Sequence, residues 1–567
     1  MESIPRPEHP NPQFERKNWR NLNGIWEFEV DKSNWGAERG FIEQEHFSQR
    51  ILVPFCPESP LSGLGITDFM EAVWYKRRFA LSEAERSGSI LLHFGAVDYE
   101  CAVYVNSRYA GSHRGGYSSF FFDITPLTCT GENVVTVQAV DRTRSVLQPT
   151  GKQSTRADSY QCVYTRTTGI WQTVWLEFAP QKRLNSIRLI PNEKACSVTV
   201  EAYPNAAGTL RAECFYEGRP VGSRTVVLDA DGGAFELPLT EKHLWEVGSG
   251  RLYDLKLTFE EDEIFSYFGL RSICFEGMRF MLNSSPVFQR LVLDQGFYPD
   301  GIYTAPDDQT LRQDILLSQA MGFNGARLHE KVFEPRFLYH CDKEGYLVWG
   351  EYPNWGLETA APEAAEIAGR EWTEVVCRDR NHPSIVGWCP FNETWDRGIG
   401  DQYARNLSFI YELPKALDPT RPCIDTSGHH HVKTDVFCLH DYNQDPDSFR
   451  ADYDKLMTDG ILTDHFSQGQ TYRGEPVFIS EYGGIAWMKD ENSWGYGEAP
   501  KSEEEFLKRF EGLTAALMDN SCMFGLCYTQ LYDVEQEKNG LYTYERVPKF
   551  SPEIISAVLS KPAASEK

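Results

Sequence analysis

The feature that most constrains the fold is an alternation of short apolar runs with helical segments over residues 275–567. The runs that predict strands are 287–293, 322–328, 346–350, 385–390, 423–426, 436–439, 476–480 and 524–529. Helical stretches lie between them at 310–321, 363–376, 402–413 and 503–518. The last stretch has one apolar face, formed by Phe506, Phe510, Leu513 and Leu517 at spacings of three and four. Eight strands alternating with helices predict a (β/α)8 barrel.

A doubly wound open sheet would show the same alternation of strands and helices. Such a sheet usually carries a Gly-x-Gly-x-x-Gly loop after its first strand. No such loop follows the predicted strand 287–293. The sequence therefore favours the barrel, the α/β part of a multidomain β plus α/β protein.

The residues before the barrel are rich in short β-branched and aromatic runs. Runs such as 24–30, 73–79 and 89–94 are separated by Gly, Pro and Asn, which is typical of an antiparallel sandwich over residues 1–181. Residues 182–274 repeat the pattern on a smaller scale and predict an immunoglobulin-like β-sandwich. With a TIM barrel at 275–567, the chain is predicted to have three domains.

Composition and charge argue against some classes of binding partner and indicate where the protein is located. A formal net charge of −26 argues against nucleic acid or an anionic membrane surface as a partner. No apolar run is long enough to span a membrane, and the first residues show no signal-peptide pattern. The 14 cysteines are scattered and form no Cys-x-x-Cys pair, so we expect reduced thiols and a cytoplasmic protein.

Polar residues stand where the predicted barrel strands end. Active sites of such barrels lie at the carboxyl ends of the strands. The residues found there are Asp294, Gln295, Arg327, His329, Glu351, Asn392, Glu393, His440, Tyr442, Glu481, Gln530 and Asp533. One polar residue at a strand end is more often a cap or a loop anchor. The convergence of so many at one rim predicts a functional site.

Two of these residues, Glu393 and Glu481, carry the chemistry that the site could perform. Each ends or closely follows a buried run, where the backbone is held while the carboxylate reaches a pocket. A facing pair of carboxylates can split a glycosidic bond, one giving a proton and the other attacking carbon. We expect burial and the charge of Glu481 to raise the pKa of Glu393, and Arg327 to keep Glu481 ionised.

Five motifs together resemble glycoside hydrolase family 2, which includes β-galactosidases, β-glucuronidases and β-mannosidases. They are Val53–Ser59, Phe268–Arg271, Arg380–Ser384, Asn392-Glu393 and Ser480–Gly483. The resemblance covers nearly the whole chain. It implies a jelly-roll sugar-binding-type domain at 1–181, the immunoglobulin-like sandwich and a catalytic barrel, in that order.

The resemblance also implies roles for individual residues. Glu393 would be the general acid/base and Glu481 the nucleophile of a retaining exo-glycosidase, with Asn392 bonding the sugar 2-hydroxyl. The predicted substrate-binding residues are Asn392, Arg327, His329, Asp294, His440, Tyr442, Trp388 and Gln530. Trp388 or Trp395 would form a stacking wall. The loops 352–361 and 485–500 would shape the leaving-group side, and the second is either a lid or a packed Ω-loop.

The sequence says less about which sugar the substrate carries. Family β-glucuronidases carry Asn-x-Lys after strand eight, where this chain has Glu537-Lys538-Asn539, so a glucuronide is disfavoured unless Lys538 or Arg546 substitutes. The Glu-x-His magnesium element of large β-galactosidases is missing after strand three, and no metal or cofactor is predicted. A β-galactosidase-like activity is expected, with galactofuranosides, arabinosides, glucuronides or mannosides as alternatives.

Three further expectations complete the predictions. A protein of another class, a carbohydrate-binding protein without catalysis, remains the rival to an enzyme. Family members commonly assemble, so a homodimer or homotetramer is expected. The run His429-His430-His431 follows Ser427-Gly428 and is predicted to be a solvated or substrate-contacting loop rather than a metal site.

Overall fold

The computed structural model describes residues 4–394, 401–428, 430–462, 472–487 and 493–567. It shows two β-sandwiches followed by a curled parallel sheet with helices around it. This architecture confirms the predicted fold class. Among the described residues, none of the helices combines the length and the hydropathy that crossing a bilayer requires.

The first sandwich is built from antiparallel strands with alternating burial. In Glu100–Val105 every second side chain is buried, which is the period of a strand with one face on a core. The two main sheets have the orders β1-β12-β5-β9 and β3-β2-β4-β10-β7-β8, and β6 pairs with β11. Strands β1 to β12 are Trp19–Asn21, Gly24–Val30, Gln49–Val53, Ala72–Leu81, Ser89–Phe94, Val97–Asp98, Glu100–Val105, Arg108–Arg114, Phe120–Asp123, Gly131–Val140, Gly169–Ile170 and Val174–Ala179.

The second sandwich has one sheet of three strands and one of four, ordered β13-β14-β17 and β16-β15-β18-β19. Its apolar core includes Leu189, Val200, Leu210 and Leu257 from both sheets. Strands β13 to β19 are Leu184–Asn192, Ser197–Pro204, Gly208–Tyr216, Arg219–Leu228, Gly233–Pro238, Tyr253–Phe259 and Asp262–Phe268. A small sheet follows, formed by β20 (Ile273–Glu276), β21 (Arg279–Leu282) and β22 (Ser285–Pro286).

The sheet of the barrel is parallel and has the order β26-β25-β24-β23-β29-β28-β27. Strands β23 to β29 are Gln289–Asp294, Gly325–Leu328, Leu347–Glu351, Ile385–Cys389, Phe437–Asp441, Val477–Gly483 and Met523–Thr529. Helices α1 to α7 are Asp308–Ala320, Pro335–Glu344, Ala364–Asp379, Gln402–Leu417, Pro446–Asp459, Glu503–Met518 and Pro552–Leu559. Three short 3-10 helices lie at Pro60–Ser62, Thr125–Leu127 and Ala564–Glu566.

The predicted fifth barrel strand, 423–426, is not a continuous strand. It makes only single parallel bridges to the fourth strand, Trp388 to Cys423 and Asn392 to Ser427. Proline at 422 has no N–H to donate, and the Asp425 carboxylate accepts from the backbone of Val432 and Lys433, which bends the chain. The segment still lies in the fifth position of the barrel.

Two apolar layers separate the inside of the barrel from its outside. Leu291 and Leu293 of β23 belong to a cluster with Trp349 and Phe478, whereas Val292 packs in another that includes helix residues. Successive residues of a strand point to opposite faces, so this assignment fixes which way each strand-end side chain points.

Candidate active site

Glu393 and Glu481 lie at one mouth of the barrel, and their carboxylates are close. Glu393 follows β26 and Glu481 lies in β28. Side-chain oxygens of the two residues, together with a ring nitrogen of His440, all lie within 4.8 Å of one another. Glycosidases that retain anomeric configuration hold their two carboxyl groups about 5–5.5 Å apart. The observed spacing is therefore suited to direct attack by one carboxylate, and it is shorter than the roughly 6.5–9.5 Å that inverting enzymes need.

The backbone of Glu393 is held in an uncommon conformation. Its φ of 48° lies in the left-handed region, which residues other than glycine seldom adopt. The Glu393 N–H donates to the carbonyl of Ser427 at 2.9 Å, and this bond fixes the turn after β26. Such conformations cluster at functional sites, where surrounding contacts maintain them.

Arg327 organises the floor of the site. Its guanidinium is fully buried and donates to Glu481 at 2.9 Å and to Glu351 at 2.5 Å. A further N–H donates to the Asn392 side-chain oxygen at 2.6 Å. His329 lies against the same group, with its Nδ1 3.0 Å from Glu351. One buried cation thus positions both the carboxylate of Glu481 and the amide of Asn392.

The environment of Glu481 keeps its carboxylate ionised. Burial by itself raises its pKa, but the neighbouring His440, Arg327 and His329 outweigh burial and lower the pKa below 4.5. The Tyr442 hydroxyl donates to the second oxygen of Glu481. The carboxylate therefore has partners on both oxygens and is charged at neutral pH.

His440 connects the two glutamates. Its Nδ1 is 2.7 Å from a Glu393 oxygen, and its Nε2 is 2.9 Å from the Ser427 hydroxyl and 3.4 Å from Glu481. Ser427 in turn donates to the Ser480 hydroxyl at 2.9 Å, so Ser427 is left to accept from His440 Nε2–H. A neutral ring accepts a hydrogen bond at Nδ1 from a protonated Glu393, and a charged ring donates at Nδ1 to an ionised Glu393. The contact is therefore compatible with both protonation states that an acid/base residue passes through.

Asn392 presents a donor toward the site. Its Nδ2 is buried and has no hydrogen-bond partner within the described part of the chain, whereas its Oδ1 is taken by Arg327. Asn354 holds the Asn392 backbone by two bonds, at 2.6 and 3.0 Å. An amide fixed in this way, with a free N–H2 edge, can donate to a ligand hydroxyl.

One charged residue near the two glutamates, Lys152, is not among the residues predicted from the sequence. Lys152 comes from a loop of the first sandwich, and its buried ammonium lies 3.8 Å from the centre of the Trp355 ring. Burial lowers the pKa of Lys152, but the nearby Cys162 and the charges of Glu537, Glu393 and Glu481 outweigh it and raise the pKa. Lys152 thus brings a positive charge to the two catalytic candidates from another domain.

Glu537, in the loop after β29, is a buried acidic residue near Lys152. It accepts from the Tyr164 hydroxyl and from the Asn539 amide, the latter at 2.9 Å. Burial, partly offset by Lys152, raises its pKa. Gln530, predicted to bind substrate, donates to Asn539 at 2.8 Å and therefore lies in this network. Its contact with substrate remains a prediction.

Two predicted substrate residues point away from the site. The Asp294 carboxylate accepts from Tyr532 at 2.6 Å, and its pKa is raised to about 6 by burial and by Asp314 of α1. Because Leu293 faces the barrel interior, Asp294 faces the helices. Trp388 is buried between β26 and α3, donates to Asp418 at 3.0 Å and contacts Trp372 edge-on. Neither side chain can reach a substrate at the barrel mouth.

The structure also changes the interpretation of the run His429-His430-His431 and describes part of the loop 485–500. The His431 side chain is not solvated, because it is 4% exposed and its Nδ1 lies 2.7 Å from Asp425. Trp395 and His429 lie outside the described residues. In the loop 485–500, Tyr496 stacks on Tyr442 at 3.4 Å, whereas Trp487 packs on the core residues Phe506 and Phe550. Residues 488–492 of this loop are outside the described ranges.

Comparison with known proteins identifies the family. The family model "Glycosyl hydrolases family 2, TIM barrel domain" matches residues 304–510, and "Glycosyl hydrolases family 2, sugar binding domain" matches residues 59–180. Together the two matches cover more than half of the chain. The chain belongs to glycoside hydrolase family 2. The resemblance drawn from its motifs is therefore confirmed.

Relatives within family 2 bear two different names. A β-galactosidase of Thermoanaerobacter pseudethanolicus is 25% identical over 74% of this chain, which spans only 56% of that relative. A β-glucuronidase of Paenibacillus borealis is 24% identical, with 94% of this chain and 96% of the relative covered. A solved β-glucuronidase of Ruminococcus gnavus superimposes with a TM-score of 0.81 at 19% identity, covering 97% of this chain and 99% of that one.

The ion pair beneath the site gives a prediction about stability. Burial raises the pKa of Glu351, but Arg327 and His329 outweigh it and lower the pKa from 4.5 to about 2. A depressed carboxyl pKa stabilises the fold above the unfolded value of 4.5, and this contribution is lost as pH falls from 4.5 towards 2. We expect Glu351→Gln to lower the free energy of unfolding at pH 7 by about 3 kcal/mol and to flatten its decline below pH 4.5.

Urea unfolding followed by tryptophan fluorescence at pH 7 and at pH 4 measures this effect. The exposed substitution Glu83→Gln is the matched control and should leave both values unchanged. Wild-type stability in Glu351→Gln at pH 7 would show that the buried pair does not support the barrel.

Proposed function

We propose that the protein removes a terminal non-reducing sugar from a β-glycoside by double displacement. Glu481 is the nucleophile and Glu393 the general acid/base. The observation that supports this most strongly is that the two carboxylates lie within 4.8 Å of each other in opposite environments. Glu481 is held by Arg327 and Tyr442, whereas Glu393 contacts a histidine nitrogen that can accept a hydrogen bond from the protonated carboxyl.

In the first step Glu481 attacks the anomeric carbon while Glu393 protonates the departing oxygen. The bond from the anomeric carbon to the aglycone breaks, and an ester between the sugar and Glu481 forms. Asn392 donates its free N–H to the sugar 2-hydroxyl, a bond that strengthens as positive charge develops on the ring. The aglycone leaves as a neutral alcohol.

In the second step Glu393, now ionised, takes a proton from water. The resulting hydroxide attacks the anomeric carbon on the face that the aglycone left, and the Glu481 carboxylate departs. His440 Nδ1, 2.7 Å from a Glu393 oxygen in the structure, can accept from the protonated carboxyl in the first step and, when the ring is charged, donate to the carboxylate in the second. Two inversions give net retention of configuration.

For the sugar we propose a neutral galactoside-type substrate. The position that would receive a uronic acid carboxylate in the family motif here holds the acidic Glu537, which is buried beside Asn539. Arg546 cannot replace the missing lysine, because it pairs with Asp314 of α1 at 3.0 Å. A substrate carboxylate would meet like charge there. The β-galactosidase relative supports the same choice.

A uronide is the second candidate, and Lys152 is the observation that favours it. This buried ammonium lies among Glu393, Glu481 and Glu537 and could receive a carboxylate. The β-glucuronidase relative, covered nearly end to end, supports this candidate. The three acidic neighbours already compensate the charge of Lys152, so we rank the neutral sugar first.

Hydrolysis of a panel of nitrophenyl glycosides tests the proposal. We expect kcat/KM for the β-galactoside to exceed that for the β-glucuronide by at least about tenfold, which corresponds to about 1.4 kcal/mol of binding preference in the transition state. The panel includes the β-galactofuranoside, α-arabinoside and β-mannoside. A preference for the glucuronide, lost in Lys152→Met, would support the second candidate. Binding of sugars with no cleavage at all would support the non-catalytic alternative.

A further inference from the structure

A cavity of about 210 Å³ lies where the three domains meet, away from the barrel mouth. Its walls come from the N-terminal segment, from the outer face of the sheet β1-β12-β5-β9, from the start of β13, and from the barrel helices α2 and α3. Residues that line it include Gln13, Phe14, Phe121, Gln172, Trp175 and Arg378. None of the residues assigned to the active site above is among its lining residues.

Buried polar atoms without partners surround this cavity. Gln13 is 3% exposed, and neither its amide nitrogen nor its amide oxygen has a hydrogen-bond partner among the described residues. The same holds for the indole N–H of Trp175, which is 3% exposed, and for the amide nitrogen of Gln172, which is 5% exposed. Nε2 of His93 and Nη1 of Arg378, two further lining residues, also have no hydrogen-bond partner in the described part of the chain. Native proteins contain few unpaired buried polar atoms, so six around one cavity indicate a place built for a polar occupant.

The charged groups in the wall are already paired. Arg16 bonds Glu177 at 2.7 Å and Asp262 at 2.9 Å. Arg378 bonds the neighbouring Asp379 at 2.6 Å. Arg183 and Glu334, which also line the cavity, pair with Asp123 at 3.5 Å and with Arg6 at 2.6 Å. Because each of these charged side chains has a partner of opposite charge, they leave no uncompensated charge with which to select an ion. An occupant should therefore be neutral.

The shape of the cavity limits the size of the occupant. A volume of 210 Å³ equals that of roughly seven water molecules, and it lies below the 300–1,000 Å³ of pockets for drug-sized ligands. The rings of Phe14 and Phe121 supply apolar wall, and the amides and the indole supply two kinds of hydrogen-bonding group. Hydroxyl groups both donate and accept, so a small molecule with several hydroxyls and an apolar C–H face matches these walls.

We propose that this cavity is a second binding site, for one neutral monosaccharide. Gln13 would donate to one sugar hydroxyl and accept from another, while Trp175 and Gln172 donate to further hydroxyl oxygens. The choice of a sugar over another small polyol rests on the proposed function, since a glycosidase releases free monosaccharide into the surrounding solution. The site would let the product bind without occupying the catalytic carboxylates.

Fluorine NMR of protein labelled with 5-fluorotryptophan tests the site directly. The chain has 14 tryptophans, and the resonance of Trp175 is the one that disappears in Trp175→Phe. Titration of wild-type protein with D-galactose and with D-glucose should shift this resonance with a saturable curve for at least one sugar. Glycerol, titrated in parallel, should bind at least tenfold more weakly.

Variants locate the binding. Gln13→Leu removes both polar atoms with little change in size and should raise the dissociation constant read at Trp175 at least fivefold. The matched control is Gln181→Leu, an exposed glutamine outside the cavity lining, which should leave the dissociation constant unchanged. If Gln13→Leu does not fold, the wild-type titration alone decides.

The outcomes separate this site from the proposed function. A Trp175 resonance that neither sugar moves would overturn the site and leave water as the occupant, while cleavage of nitrophenyl glycosides would be unaffected. Equal binding of glycerol and sugar would overturn the assignment to a monosaccharide. Sugar binding at the active site alone would move Trp355, beside Lys152, and leave Trp175 in place.

Discussion

Glu481→Ala is expected to lose turnover by a factor on the order of 10⁵–10⁶, the scale on which hydrolases respond to removal of the nucleophile. Without the carboxylate no ester intermediate can form, although Arg327, Tyr442 and the rest of the site still bind the sugar. Initial rates on the preferred nitrophenyl glycoside measure the loss. Added azide should restore activity, because this small anion can occupy the space that the carboxylate vacates and attack the anomeric carbon.

This prediction needs a control variant and a check that Glu481→Ala is folded. Glu83→Ala replaces an exposed glutamate far from the site and should keep wild-type rates with no response to azide. Circular dichroism establishes that Glu481→Ala is folded. A folded variant with full activity would remove Glu481 from the mechanism.

Glu393→Gln should affect substrates according to their leaving groups. An alkyl glycoside needs a proton on the departing oxygen, so its kcat/KM should fall by about 10²–10⁴, the usual contribution of a general acid. A dinitrophenyl glycoside leaves as a stable anion without a proton, and its kcat/KM should fall by less than about tenfold. Steady-state kinetics on the two substrates give both values.

The glutamine substitution was chosen because it preserves the shape of the side chain and a donor to His440. Equal losses on the two substrates would contradict an acid role for Glu393. In that case Glu393 would serve only to hold His440 and the loop after β26. The matched control is Glu83→Gln, which should change neither substrate.

The fold could be predicted because its signals are local. The spacing of Phe506, Phe510 and Leu513 predicts a helix at 503–518, and α6 spans Glu503–Met518 with Ser502 as its capping residue. Helix α5 is not among the predicted helices, although its buried residues Phe449, Tyr453 and Leu456 have the same spacing of four and three. Its apolar face is shorter, whereas that of α6 continues to Leu517. The fifth barrel position was recognised as apolar, but the side chain of Asp425 competes with the ladder for the backbone there.

The catalytic candidates could be predicted because strand ends in a barrel meet at one rim. The sequence predicts less well which face of the sheet each strand-end side chain lies on, since a shift of one residue along a strand turns a side chain to the other face. That shift is why Asp294 and Trp388 point to the helices while Arg327 points inward. Lys152 could not be found at all, because it reaches the site from a loop of another domain whose sequence has no periodic pattern.

The anomeric configuration of the azide product from Glu481→Ala tests the central claim most directly. In the proposed mechanism azide replaces the nucleophile and attacks opposite the aglycone, so proton NMR should show a glycosyl azide of inverted, α configuration. Glu393→Gln should instead give the retained β-azide, because there azide attacks the ester on Glu481. A β-azide from Glu481→Ala would contradict the assignment of Glu481 as nucleophile and, with it, the division of roles between the two glutamates.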